Sequence, residues 1–142
     1  MALTQQQLEK LRKVRMFVLD MDGTIYLGES LFPFTKGFLR RVEETGRDFC
    51  FFTNNSSKNR EAYLEKLARM GISIPPEKML ISNGVILQWL GQHHPGARCY
   101  VVGTPALRED FGKAGFAPDA EDGDVVILGF DTTLTYEKLR EA

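Results

Sequence analysis

Asp20 and Asp22 directly follow an apolar run, in Asp20-Met21-Asp22-Gly23-Thr24. Residues two apart in extended backbone project to the same side, so this spacing aims both carboxylates into one crevice. Two like charges that close are costly unless a cation neutralises them or one carboxyl takes up a proton. An all-oxygen site with few protein ligands suits Mg²⁺, which keeps part of its water shell and bridges to phosphate. A carboxylate held there can attack phosphorus and form an aspartyl-phosphate. Its neighbour can give a proton to the leaving oxygen and later take one from water. The plainer reading of Asp22-Gly23 is a strand-ending turn with solvated acids. That reading leaves Asp20, Thr24 and the long connection after them without a role.

A second segment is expected beside the first. The apolar run 49–52 ends in Thr53-Asn54-Asn55-Ser56-Ser57. If the two runs are neighbouring parallel strands, Thr53 falls next to the carboxylates. Its hydroxyl, with free backbone N–H groups around Asn54 and Asn55, then forms a phosphate cradle. Asn and Ser are also the preferred helix caps, and capping accounts for the segment taken alone. The acids expected beside it tip the balance to the cradle.

The elements that must position these groups show in the hydrophobic pattern. Residues 14–19, 49–52, 79–81, 99–102 and 125–130 are short, β-branched or aromatic runs that read as strands covered on both faces. Helical stripes lie between them. Thr4 and Gln7 make a capping box ahead of Leu8 and Leu11. Phe38, Leu39 and Val42 form a stripe ending near Gly46; Tyr63, Leu64, Leu67 and Ala68 form another, closed by Gly71. Ser82 or Asn83 can cap a helix carrying Ile86, Leu87 and Leu90. Thr104-Pro105 opens a helix with Leu107 and Phe111, and Thr135 opens one with Tyr136 and Leu139. Repeated β-α alternation predicts an α/β fold, a Rossmann-type parallel sheet with helices on both faces. The connection 23–34 is long against the usual ~2–6 residues. It holds Tyr26, Leu27, Leu31 and Phe32, too apolar for disorder, so a packed functional loop is expected.

Composition bounds the function. The chain has 142 residues, 18 Lys+Arg against 19 Asp+Glu, and is 43% hydrophobic. That balance excludes a disordered or collagen-like chain and gives no general attraction to nucleic acid or anionic lipid. No apolar run reaches membrane length, and the opening residues carry no leader pattern, so a cytoplasmic domain is expected. Cys50 and Cys99 sit in apolar runs and read as buried thiols rather than a disulfide. His93-His94 reads as a surface linker, Lys10, Arg12, Lys13 and Arg15 as a solvated face, and Trp89 as core or domain edge.

With these motifs in order, the chain resembles the haloacid dehalogenase (HAD) phosphatase superfamily. Asp20-Met21-Asp22-Gly23-Thr24 and Phe52-Thr53-Asn54-Asn55-Ser56 look like its first two signature motifs. The Thr-Asn-Asn-Ser form is similar to the NagD-like, nitrophenyl-phosphatase and phosphoglycolate-phosphatase branch. Tyr63-x-x-Lys66-Leu67, Met70-Gly71-Ile72, Tyr100-Val101-Val102-Gly103 and Val126-Ile127-Leu128-Gly129-Phe130-Asp131 continue the match. The resemblance implies Asp20 as nucleophile and Mg²⁺ ligand. It implies Asp22 as general acid/base, binding metal through its backbone carbonyl, with Thr53 and Asn54 holding the phosphoryl group. The loop after Asp22 corresponds to the family's squiggle and flap. The implied substrate is a small phosphorylated metabolite, with a second copy of the chain as an optional partner.

The family's third motif, a lysine usually in Gly-Lys-Pro, and its fourth, Gly-Asp-x-x-x-x-Asp, are not present. Gly112-Lys113 lies in a helix pattern, Gly123-Asp124 precedes a strand instead of following one, and Asp131 ends a strand the family assigns to a cap domain. The resemblance divides the chain into residues 1–94, the N-terminal part of a catalytic core, and 95–142, part of a cap. On that reading the ending at Ala142 is a cut within the cap, and the chain alone is weakly active or inactive and poorly stable. Two other readings stand beside the hydrolase: a phospho-receiver module and a non-catalytic fragment. Receivers carry the acceptor aspartate at the end of the third strand, where this chain has Ile81-Ser82-Asn83.

Overall fold

Residues 3–142 are described in this computed structural model, and their elements follow the expected alternation. Helix α1 (Gln5–Arg12) leads to strand β1 (Met16–Leu19). A short antiparallel hairpin, β2 (Tyr26–Leu27) and β3 (Ser30–Leu31), precedes α2 (Thr35–Glu44). Then come β4 (Asp48–Thr53), α3 (Arg60–Arg69), β5 (Met79–Ile81) and α4 (Ser82–His93). The chain closes with β6 (Cys99–Val102), α5 (Pro105–Lys113), β7 (Val125–Leu128) and α6 (Tyr136–Glu141). The fold is α/β. Strands β1, β4 and β5 form one parallel sheet in the order β1-β4-β5, and β6 and β7 form a second parallel pair.

Local chemistry explains most boundaries. Thr4 and Gln7 close the capping box of α1, Thr104 caps α5 ahead of Pro105, and Thr135 caps α6. Gly71 ends α3 at φ +77°, a conformation that favours glycine. The start of α4 differs from expectation. Neither Ser82 nor Asn83 caps it; Asn83 lies inside the helix and its amide donates to Lys58 O (3.2 Å) and Asp110 Oδ2 (3.0 Å). Asn83 is buried, and there the carbonyl and carboxylate acceptors satisfy an amide that would otherwise be stranded. The long connection 23–34 is built as the β2–β3 hairpin, with Gly28 in its turn at φ +59°. Trp89, expected in the core or at an edge, is half exposed and stacks on His93 at 4.8 Å.

Two apolar clusters form. One face of the first sheet, through Phe49, Phe51, Met79 and Ile81, packs on Leu39 and Val42 of α2 and on Tyr63 and Leu67 of α3. The second cluster joins Cys99 and Val101 of β6 to Leu107 and Phe111 of α5, and Leu90 of α4 belongs to it. Cover is uneven between the faces of the first sheet: Met16, Val18 and Leu80, on the face opposite Phe51, are exposed, Val18 by 63%. Cys50 and Cys99 are free and buried, as expected. Among the described residues no helix is long and apolar enough to cross a membrane.

Helix α6 is held by polar contacts, because Leu134, Tyr136 and Leu139 are exposed. Lys138 Nζ donates to Asp131 Oδ2 (2.7 Å) and Gly103 O (3.1 Å), and Tyr100 donates to Glu141 Oε2 (2.7 Å). The Asp131 side chain is 2% exposed. Burial pushes its carboxyl up, but the bonds from Lys138 and Thr133 outweigh burial and leave it below the usual range. A depressed folded pKa stabilises above the unfolded value, about 4, and that stabilisation is lost as pH falls through the folded value.

Two outcomes are expected. Phe51→Ala costs ~3–5 kcal/mol in urea unfolding, whereas Val18→Thr shifts stability by less than about 0.5 kcal/mol and lowers binding of an apolar dye. An acid titration of melting temperature falls below pH ~4, and Asp131→Asn removes the part of that fall due to the Lys138 clamp.

Candidate active site

The register Leu19↔Phe51 carries β4 two residues past the end of β1, so Thr53, the last residue of β4, stands beside the segment that opens at Asp20. This is the edge of an open parallel sheet where ligands bind. Met21 is buried while Asp20 and Asp22 are exposed, the alternation that the i, i+2 spacing requires. The chain then turns sharply. Thr24 and Ile25 N–H groups donate to Met21 O (3.1 and 3.0 Å), Gly23 N–H donates to Tyr26 O (2.8 Å), and Gly23 adopts φ +77°.

The turn brings hydroxyls to both acids. Thr24 Oγ1 donates to Asp20 Oδ2 at 3.2 Å, and the Tyr26 phenol donates to Asp22 Oδ2 at 3.4 Å. Neither carboxylate joins an ion pair among the described residues. Burial raises the Tyr26 phenol above its usual range, and the Asp22 carboxylate raises it further, with smaller contributions from Tyr63 and Asp20. Tyr63 is raised mainly by burial, less the effect of the Thr53 hydroxyl, and also feels Asp22. Both phenols therefore remain neutral donors at neutral pH, inside one field with the two acids and Thr53.

Thr53 is buried, and its Oγ1 accepts from Asn55 N–H at 3.2 Å. The Asn55 N–H expected to be free is thus satisfied within its own turn, a local bond that Thr offers readily. Asn55 Oδ1 accepts from Ser57 N–H (3.0 Å), and the Tyr63 phenol donates to Asn55 O (3.1 Å). Asn54 stays exposed beside Thr53.

Tyr26, Tyr63 and Lys66 belong to this neighbourhood and had no assigned role in the sequence reading. Lys66 is buried, with Nζ 4.0 Å from the Tyr26 ring centroid and 3.8 Å from Glu29 Oε1. The available signal was a lysine on the apolar stripe of α3, one turn from Tyr63. The groups set aside lie elsewhere: Asp131 under Lys138, Asp124 on Arg98 (3.3 Å), and Lys113 on Glu109 (2.8 Å).

The donor set suits a hard divalent cation. Asp20 and Asp22 offer oxygen alone, exposed and free of cationic partners, which fits Mg²⁺ retaining much of its water. Among the described residues no group of three or more His, Cys, Asp or Glu is placed to hold a metal, so two carboxylates are what this segment supplies. A cleft of about 440 Å³ lies at the junction of the two sheets and is lined by Asn54, Ser56, Asn83, Leu107, Leu128 and Phe130. It reaches the Thr53 segment and not the carboxylates.

Comparison with known proteins identifies the family. Residues 17–117 match the family model described as haloacid dehalogenase-like hydrolase. An acid sugar phosphatase of Staphylococcus aureus is 32% identical over 130 residues, 91% of this chain and 50% of that protein. The solved 4-nitrophenylphosphatase of Thermotoga maritima superposes with a TM-score of 0.87 at 40% identity, over 92% of this chain and 50% of its own. NagD from Escherichia coli shares the fold, with a TM-score of 0.78 at 23% identity, over 90% of this chain and 51% of its own. This chain spans about half the length of these relatives. With the first two motifs side by side on a parallel sheet and the family model matched over most of the chain, the protein belongs to the haloacid dehalogenase-like hydrolases.

Proposed function

We propose that this chain carries the nucleophile-bearing part of a Mg²⁺-dependent phosphomonoester hydrolase acting on small phosphorylated metabolites. The observation that carries the reading is the exposed pair Asp20 and Asp22, free of cationic partners, at the carboxyl end of β1 and one strand from Thr53. The family match and the phosphatase names of the relatives support it. Residues 1–94 are the core segment and 95–142 part of a cap, a division that the two separate sheets support. A cytoplasmic setting suits the two free cysteines.

The chemistry divides between two carboxylates. An oxygen of Asp20 attacks phosphorus, the bond from phosphorus to the ester oxygen breaks, and Asp22 gives that oxygen its proton. Water then attacks the aspartyl-phosphate, Asp22 takes the water's proton, and inorganic phosphate leaves with the Asp20 carboxylate restored. The Tyr26 phenol, donating to Asp22 Oδ2, fixes the direction in which that carboxyl faces. Thr53 and Asn54 hold the phosphoryl oxygens in place for in-line attack. Mg²⁺, bound by the Asp20 carboxylate and the Asp22 backbone carbonyl, would supply charge neutralisation for the phosphoryl oxygens.

Incubation of the full chain with Mg²⁺ and radiolabelled nitrophenyl phosphate is expected to give transient label on Asp20. Turnover should lie well below the ordinary ~1–10³ s⁻¹, since one carboxylate and one backbone carbonyl make an incomplete donor set. Asp20→Asn should abolish label and turnover with an unchanged melting temperature; Mg²⁺-dependent hydrolysis retained by that variant refutes the assignment. A phosphoryl group that persists on the unaltered chain supports a receiver instead. Asp22→Asn should slow release of alkyl alcohols by ~10²–10⁴-fold and of nitrophenol much less, because nitrophenol needs no proton to leave. Equal losses for both would remove Asp22 from the acid role.

A further inference from the structure

The segment after Thr53 is held from the far side by the second αβ unit. Leu107 of α5 is buried over the ends of β6 and β7, in space left by two glycines. A Cβ on Gly103 would lie 2.5 Å from Leu107 Cδ2; one on Gly129 would lie 2.4 Å from the same atom and 3.0 Å from Ser56 Oγ. That close approach lets the chain leaving β7 reach the first unit, where Phe130 N–H donates to Ser56 Oγ at 2.7 Å.

Three further side chains complete the attachment. Thr104 Oγ1 donates to Ser57 O at 2.9 Å while accepting from Leu107 N–H at 3.3 Å, so one hydroxyl both caps α5 and grips the loop. Asn83 bridges Lys58 O (3.2 Å) to Asp110 Oδ2 (3.0 Å) of α5, and Ser82 Oγ donates to Asn54 O (3.3 Å). Ser56, Thr104 and Asn83 are 9%, 5% and 1% exposed. Losing one partner therefore strands a buried polar group. Capping of α5 needs only an acceptor on Thr104; the donated bond to Ser57 serves the loop.

We infer that Ser56 and Thr104 are positioning residues for the phosphoryl-binding segment: they fix loop 54–58 against α5 and the end of β7, so the second unit sets the geometry that Thr53 and Asn54 present. Ser57 lies four residues beyond Thr53, a reach of at most ~14 Å, and the intervening turn is already tied by Asn55. A shift at Ser56 or Ser57 therefore reaches Thr53 with little slack. The catalytic meaning of this placement rests on the phosphatase reading; the attachment itself does not.

The test uses three variants of the full chain, each read by amide hydrogen exchange and by titration with inorganic phosphate in Mg²⁺. Thr104→Asp keeps an acceptor for Leu107 N–H and loses the donor to Ser57 O. Ser56→Ala removes the acceptor of Phe130 N–H from the other side. Thr104→Ser keeps both functions and is the rescue control. The first two are expected to speed exchange across 54–58 by about tenfold or more while amides of β4 and α3 keep their protection. Phosphate affinity should fall by a similar factor, and Thr104→Ser should match the unaltered chain. Unchanged exchange at 54–58 in both variants overturns the attachment. Faster exchange with unaltered phosphate affinity overturns the positioning role alone. No phosphate binding by the unaltered chain sinks the phosphatase reading, and the positioning role with it.

Discussion

The parallel pairing of Leu19 with Phe51 decides where negative charge collects in this protein. It ends β1 two residues short of β4, so that a carboxylate pair after one and a polar turn after the other open onto the same edge of the sheet. Charges this close cannot be folded into the core, because desolvating them would cost far more than the surrounding apolar contacts return. The structure leaves them exposed and buries the residue between, Met21, together with two phenols that stay neutral. Exposed charge over a packed apolar floor is the arrangement the proposed chemistry requires.

That floor is one-sided. Phe49, Phe51, Met79 and Ile81 meet α2 and α3 across one face, while Val18 and Leu80 on the other meet water. On the hairpin side Tyr26 is packed under Lys66 and beside Tyr63. A buried lysine is tolerable here because the ring face and Glu29 take up part of its charge.

The two sheets are joined at the loop that the phosphoryl group is proposed to meet. The second unit packs its own core on Leu90 of α4, but the groups that reach from it to loop 54–58 are a threonine and a backbone amide, with Asn83 of α4 bridging the loop to Asp110. Directional bonds of this kind specify one register of loop against helix, where an apolar contact would accept several. The glycines at 103 and 129 matter for the same reason, since they let Leu107 and Ser56 approach.

Much of this was legible along the chain. Strand and helix order follow from the period of apolar residues, the caps at Thr4, Thr104 and Thr135 from the residues that favour those positions, and the acid pair from its spacing. These are properties of neighbours in sequence, and each needs only local backbone geometry. Other features belong to the tertiary structure alone. Asn83 abandons an expected cap because a carbonyl 25 residues away and a carboxylate 27 away come within reach. Lys66 turns inward because Tyr26 presents a ring face to it. The sequence by itself thus determined which residues could do chemistry and at which strand ends they stand. Folding alone decided which polar groups hold them there, because a hydrogen bond between distant residues depends on packing distances of a few ångströms that no local pattern encodes.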